Sequence, residues 1–292
     1  MLLPCDGAGE DGGSRVKRTS SYDYLWRRSF RGDRRPTSYH YERMLETLDL
    51  PPLQGIMLDA GCGEGIDLAN RARDSSGVKL IGVERSTWGC RASQERVRHY
   101  ASAHVVQADL CQLPFGSGIF DFIYSYGVLH HLSEPGKGLQ ELVRVLKPGR
   151  RIALYLYEDF RDRHPLWRGL LWAAGRLRSV TTWMPHRLLY ALCVALSPWI
   201  YFFFALPYRI LRRIPACRSA AEGIPFRHAA GPFALPGDLF DRFATPIEWR
   251  YSRDHALDLM HRAGLEEVRV TRKRGWMLLG TKPLGVLQEV VG

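Results

Sequence analysis

Between residues 56 and 157 short β-type runs alternate with helix-period runs, and this alternation limits the possible folds more than any other feature of the chain. The β-type runs are Ile56-Met57-Leu58, Lys79–Val83, Val105-Val106, Phe120–Tyr124 and Arg151–Tyr157. One helix is predicted from Gly65 and a second after Ser86. A third carries Leu139, Leu142, Val143 and Leu146 at the spacing of one helix face, with Pro148-Gly149 as its expected stop. Strands separated by helices of about 10–15 residues run parallel, because each helix returns the chain to the same edge of the sheet. The pattern breaks near residue 159 and resumes near 248, where Ser252 caps a helix stopped by Gly264 and two β-type runs follow, Glu267–Thr271 and Trp276–Thr281.

The expected division is therefore a flexible lead (1–18), an N-terminal helical segment (19–48) ended by Pro51-Pro52, an α/β core (49–158), a mostly helical insertion (159–247), the last helix and strands (248–283) and a tail (284–292). With 46% hydrophobic and 24% charged residues in 292, the chain is neither a disordered tail nor a disulfide miniprotein. Its six cysteines form no CxxC pair and no zinc-ligand cluster, so free thiols in a reducing compartment are expected and no metal is assigned. The N-terminus lacks the apolar stretch of a secretory signal. These readings place the protein in the cytoplasm.

The first strand runs directly into Asp59-Ala60-Gly61-Cys62-Gly63-Glu64-Gly65. Glycines at a strand-to-helix turn accept positive φ and let a ligand approach the backbone; a plain tight turn is the simpler alternative. The dinucleotide fingerprint is GxGxxG with its acid about 20 residues later. Here the spacing is GxGxG and an acid, Asp59, stands beside the loop, which suits a cationic amino group. Glu84 ends the second strand, where a carboxylate accepts both hydroxyl protons of a ribose, and Asp109 follows the third, placed for an adenine amino group. Each acid alone could be a solvated loop residue. Three at the carboxyl ends of successive strands is the pattern of a ligand site in an open α/β sheet.

With LDAGCGEG (58–65), GVERS (82–86), QADLCQLPF (107–115), FDFIYSYGVLHHL (120–132) and RVLKPGR (144–150), the chain resembles the class I S-adenosylmethionine-dependent methyltransferases, within them the type 11 group. The resemblance implies a Rossmann-like seven-stranded sheet with an antiparallel last strand, helices on both faces, and S-adenosyl-L-methionine as cofactor. It also implies that Gly61 and Gly63 approach the methionyl part, that Glu84 holds the ribose and that Asp109 with Leu110 frames the adenine; Asp59 and Ser125 complete the expected cofactor set. Arg150 departs from the second glycine usual after LKPG, which affects a turn and not the ligand.

Methyl transfer is an in-line displacement that needs a dry, positioned site and no nucleophilic residue. For a hydroxyl acceptor a general base helps, and His130 or His131, after the fourth strand, is the candidate, against the reading that the pair caps a helix or packs structurally. Tyr126, Tyr155 and Tyr157 either line the acceptor pocket or belong to the core.

The insertion holds most of the net charge of +11: from Arg161 to Arg218 ten arginines stand against one acid, Asp162, together with Trp167, Trp172, Trp183 and Trp199. Within it, residues 188–208 carry no charge, and as a helix they would reach roughly the 30 Å of a bilayer core. A single pass is excluded, since it would leave strands of one sheet on opposite sides of the membrane. The segment therefore lies on the membrane, re-enters it, or caps the acceptor pocket, with Pro198 and Pro207 expected to break it. Arginines rimming a Trp/Phe/Leu surface suit peripheral membrane contact through residues 165–215. Nucleic acid is the weaker partner: a long uncharged run fits phosphate poorly, and Ser125-Tyr126-Gly127 stands where DNA amino-methyltransferases carry an Asn or Asp followed by Pro-Pro and an aromatic. The expected activity is methyl transfer to a small, lipophilic acceptor at O, N or C. An RNA methyltransferase, an enzyme transferring another group from the same cofactor, and a catalytically silent cofactor-binding or assembly protein remain as alternatives.

Overall fold

The computed structural model describes residues 20–29, 40–50, 54–74, 77–221, 224, 235–273 and 275–284. The lead at 1–18, Pro51-Pro52 and all of the tail beyond residue 284 lie outside them. The elements are α1 (Ser21–Ser29), α2 (His40–Leu48), β1 (Gly55–Ala60), α3 (Ile66–Asp74), β2 (Val78–Glu84), α4 (Thr87–Val97), β3 (Ala103–Gln107), β4 (Phe120–Tyr126), a 3-10 turn (Leu129–His131), α5 (Pro135–Val145) and β5 (Leu146–Leu156). The insertion follows as α6 (Pro165–Thr181), α7 (His186–Ile200), a π-helical turn (Tyr201–Ala205), α8 (Leu206–Leu211), α9 (Arg218–Ala221) and α10 (Leu235–Ala244). Then α11 (Arg253–Arg262), β6 (Glu266–Arg272) and β7 (Trp276–Thr281) close the fold.

The strands form one sheet in the order β3-β2-β1-β4-β5-β7-β6. β1 to β5 pair in parallel, and β7 runs antiparallel to both β5 and β6. Period-two alternation splits the apolar residues between two cores. Ile123, Ile152, Leu154 and Leu278 enter one with Leu139 and Leu142 of α5 and Met260 of α11. Phe122, Tyr124, Ala153, Met277 and Leu279 enter the other with Met44 of α2 and Leu68 of α3. A sheet covered on both faces follows, as its near-continuous apolar strands require. Ser86 and Ser252 accept the third amide N–H of α4 and α11, which satisfies a donor that the first turn cannot.

Two local expectations are corrected. Helix α5 ends at Val145, before Pro148-Gly149, because Leu146 already turns extended and pairs with Phe120 of β4; Gly149, with φ of 70°, lies inside the resulting long strand. Pro198 and Pro207 do not break the apolar segment, and His186–Leu211 is one helix. Pro198 lies inside α7, Pro207 occupies the first turn of α8, and the π-helical turn between them widens the backbone where proline removes a donor.

The insertion leaves and rejoins the core at one place. Asp159 N donates to Tyr251 O at 3.0 Å, Tyr251 N to Tyr157 O at 2.9 Å, and Trp249 N to His130 O at 2.8 Å. Glu158, 2% exposed, accepts from Arg163 at 3.0 and 3.1 Å and from Arg272, and its carbonyl accepts from Arg250. Burial opposes its ionisation, but the Arg163 and Arg272 hydrogen bonds prevail and hold the carboxyl below its ordinary range.

Candidate active site

The carboxyl ends of β1, β2 and β3 open into one cavity of about 580 Å³. Its floor is the loop after β1. Gly61 has φ of 91°, and a Cβ there would lie 2.4 Å from Val128 Cγ2, so this turn admits only glycine. The N–H groups of Gly61 and Cys62 both donate to Val83 O, which fastens the loop to β2. Glu84 accepts from Gly63 N at 3.0 Å through one oxygen and from Ser86 N at 2.8 Å through the other. Burial raises its pKa and these donors oppose the rise. A carboxylate offers about four acceptor sites, so further sites stay available for a ligand's hydroxyls. Asp59 is buried and accepts from Tyr124 Oη at 2.9 Å; burial, then the neighbouring Asp67 charge, hold its carboxyl well above the usual range. Asp109, more exposed, accepts from Cys111 N at 2.9 Å and faces Arg85 at 3.5 Å.

The opposite half of the cavity is aromatic. Tyr126 stacks between His40 and Tyr155, with ring centroids 4.2 and 4.3 Å away, and Tyr157 follows edge-on. Tyr22 and Trp26 of α1 and Asp238 and Asp241 of α10 complete the wall. Trp26 lies over the glycine loop, 3.2 Å from the position of a Gly63 Cβ. Asp23 accepts the Ser86 hydroxyl at 2.5 Å, tying α1 to the N-terminus of α4. Burial raises the Asp241 carboxyl above its ordinary range, while the His131 charge opposes that rise.

Asp59, Gly61, Gly63, Glu84, Asp109, Leu110 and His131 all line this cavity. Ser125 does not: alternation along β4 turns Tyr124 and Tyr126 toward the site and Ser125 away, where its hydroxyl donates to Ala60 O at 2.8 Å. His130 does not line it either. It is fully buried against Tyr157, with ring centroids 3.8 Å apart and no hydrogen-bond partner for either nitrogen among the described residues. Burial, then His131, push its pKa well down, so it stays a neutral packing residue. His131 Nδ1 lies 2.8 Å from Ile247 O. A carbonyl only accepts, so Nδ1 carries a proton and Nε2 is the ring nitrogen left to face the cavity.

Sequence reading missed Tyr22, Trp26, His40, Asp238 and Asp241. Tyr22 and Trp26, four apart on one helix face, were the available signal; for Asp241 the sequence offers none, because Tyr22, His131 and Tyr157, which it faces, are distant in the chain.

Residues 58–154 match a family model described as "Methyltransferase domain". They form a class I S-adenosylmethionine-dependent methyltransferase domain. The match aligns with malonyl-[acyl-carrier protein] O-methyltransferase of Methylovorus sp. (34% identical over 114 residues, 37% of this chain and 38% of that one). It also aligns with demethylmenaquinone methyltransferase of Clavibacter sepedonicus (35% over 114 residues, 38% and 45%) and cycloartenol-C-24-methyltransferase of Arabidopsis thaliana (30% over 148 residues, 47% and 44%). The chain thus spans less than half the length of each of these relatives. In fold it is similar to a solved structure described as "Conversion of a Disulfide Bond into a Thioacetal Group during Echinomycin Biosynthesis", with a TM-score of 0.51 at 19% identity over 91% of this chain and 94% of that one.

S-adenosylmethionine is the cofactor of this methyltransferase family, and the cavity fits it. Gly61 and Gly63 line the cavity with bare backbone, the buried Asp59 carboxyl has no cationic partner among the described residues, and Glu84 is held by two backbone donors beside the loop.

Proposed function

We propose that the chain transfers a methyl group from S-adenosylmethionine to a small, uncharged, lipophilic acceptor, and that it works in the cytoplasm at a membrane face. The observation that carries this reading is one cavity joining the acids at the ends of β1, β2 and β3 to an aromatic chamber containing His131. When bound, the cofactor supplies an electrophilic methyl on a sulfonium, displaced in line by the acceptor's lone pair. In this reading Asp59 faces the ammonium group, Glu84 accepts the ribose hydroxyls, Asp109 and Leu110 frame the adenine, and the roof of Tyr22 and Trp26 excludes water. For a hydroxyl acceptor, His131 Nε2 takes the proton as the carbon–oxygen bond forms and the carbon–sulfur bond breaks.

An uncharged acceptor is favoured by the wall. Among the described lining residues Arg85 is the sole arginine or lysine, and it is largely exposed beside Asp109. An anionic acceptor would meet Asp238 and Asp241, and the nearby Arg242 is already engaged by Asp238 at 3.2 Å. The names of the relatives acting on cycloartenol and demethylmenaquinone also point to lipophilic acceptors.

The test is incubation of the protein with methyl-labelled S-adenosylmethionine and a total lipid extract. Expected are release of S-adenosylhomocysteine and label in the organic phase on a species heavier by one methylene. Label that appears only with RNA and vanishes on nuclease treatment would replace the acceptor class. Cofactor binding with no S-adenosylhomocysteine from any extract would mark a silent binder.

A further inference from the structure

The insertion carries a surface that neither the cavity nor the two sheet cores use. His186–Leu211 is a helix of 26 residues with mean hydropathy 1.9, yet only 22% of its most apolar window is buried. Its buried side is a narrow stripe, Leu189, Cys193 and Ser197, continued by Ala205 and Tyr208. Outward face Leu196, Trp199, Phe202 and Phe203, each 53–64% exposed, and α6, which precedes α7 and also packs on α10, exposes Trp172 at 68%. A soluble helix in water shows the reverse proportion, one apolar stripe and a polar remainder. Exposed arginines stand at both ends of this helix, Arg187 at the start of α7 and Arg209, Arg212 and Arg213 at the far end, and Arg176 of α6 lies over the Trp172 ring.

We infer that this face seats the protein on an anionic bilayer surface, with α7 and α8 lying in the headgroup region and the arginines on lipid phosphates. The inference deepens the membrane-side reading above and rests on it for location, but it needs no methyl transfer. A single span is excluded by the sheet: β5, which leads into the insertion, pairs with β7 beyond it from Arg151↔Thr281 to Leu156↔Trp276, and Glu158 bridges to Tyr251, so both ends of the insertion stay on one side. A second copy is disfavoured by charge, since a two-fold contact would press one arginine rim against another. Lipid phosphate neutralises that rim, and acyl chains accept the tryptophans and phenylalanines.

The seat is one helix layer from the chamber. Leu189 and Cys193 pack with Leu25 of α1 and Leu239 and Phe240 of α10 in a third apolar cluster. The same two helices line the cavity through Tyr22, Trp26 and Asp241. A lipophilic acceptor leaving the bilayer beside α1 and α10 therefore reaches the chamber without crossing bulk water.

The experiment is sedimentation of the full chain, loaded with S-adenosylhomocysteine, with vesicles of phosphatidylcholine alone or mixed with phosphatidylglycerol. Expected is at least about tenfold stronger partition onto the mixed vesicles, weakened by salt. Trp199→Glu with Phe203→Glu should abolish it, while cofactor affinity and thermal midpoint stay unchanged. Arg209→Gln, Arg212→Gln and Arg213→Gln, which leave the apolar face intact, should weaken it by about fivefold each. Protein that stays in the supernatant with both vesicles overturns the inference, as does equal partition of wild type and the glutamate variant, or a stable dimer whose contact buries Trp199. Vesicle binding without release of S-adenosylhomocysteine upholds the seat and removes the enzyme reading; turnover without vesicle binding does the opposite.

Discussion

In the cavity, carboxyl groups from β1, β2, the loop after β3 and α10 face inward, and each of Asp59, Glu84 and Asp109 is held by a hydroxyl or a backbone N–H. Across the insertion, ten arginines lie within 58 residues against one acid, most of them exposed. The carboxyl groups are gathered round one cavity and those of Asp59, Glu84 and Asp109 are fixed in direction by their donors; the positive charge is solvated and on long flexible stems. Buried, oriented groups discriminate between ligands because their desolvation must be matched by a partner. Exposed ones give reach and salt-sensitive attraction with little geometry. A net charge of +11 thus describes mainly the surface of the insertion, while the cavity is lined by charge of the opposite sign.

The contrast is broken most severely where a cavity group touches the reaction. His131→Ala should lower kcat for a hydroxyl acceptor by about 100-fold or more and leave vesicle partition untouched, whereas His130→Leu, which fills the same buried space, should spare kcat; equal losses in the two would return the pair to a packing role. Glu84→Ala should next weaken cofactor binding by about 3 kcal/mol, roughly 150-fold, because it removes the acceptor for Gly63 and Ser86 as well as for the ligand; calorimetry reads it. Glu158→Gln probes the joint between the regions. Its arginine partners are 40% and 35% exposed and can turn to water, so the loss should be about 1–2 kcal/mol, seen as a lower thermal midpoint.

The smallest effect concerns protons. Asp59 has a raised native pKa, so its stabilising contribution is present below the ordinary carboxylate range and is lost as pH rises toward the raised native value. A cation at Asp59 reverses this by favouring the charged form. Cofactor binding should therefore release a fraction of a proton and tighten as pH rises. Binding enthalpies measured in two buffers of different ionisation enthalpy should differ for the wild type and agree for Asp59→Asn; agreement for both would remove Asp59 from the ammonium site.

The core was legible because its signals are local. Leu139, Leu142 and Val143 announce one buried helix face, and the acids at strand ends need only strand positions to be placed together. Ser125 was misplaced for want of an available step: alternation from Tyr124 and Tyr126 turns it away from the site. The end of α5 and the unbroken helix through Pro198 were not legible, since the pairing of Leu146 with Phe120 and the π-helical turn are decided by neighbours that propensity does not see. Likewise the cavity roof could not be read. Tyr22, Trp26 and Asp241 meet their site only after α1 and α10 have packed on α7.

The parallel bridge between Glu158 and Tyr251 brings the two ends of the insertion together at one stitch. Everything between them is a closed detour that could be exchanged as a cassette without altering the register of the sheet. Because α10 travels in that cassette with the outward apolar helix, one exchange would change that surface and the Asp238 and Asp241 side of the cavity together, while the half built from β1, β2 and β3 stayed as it is.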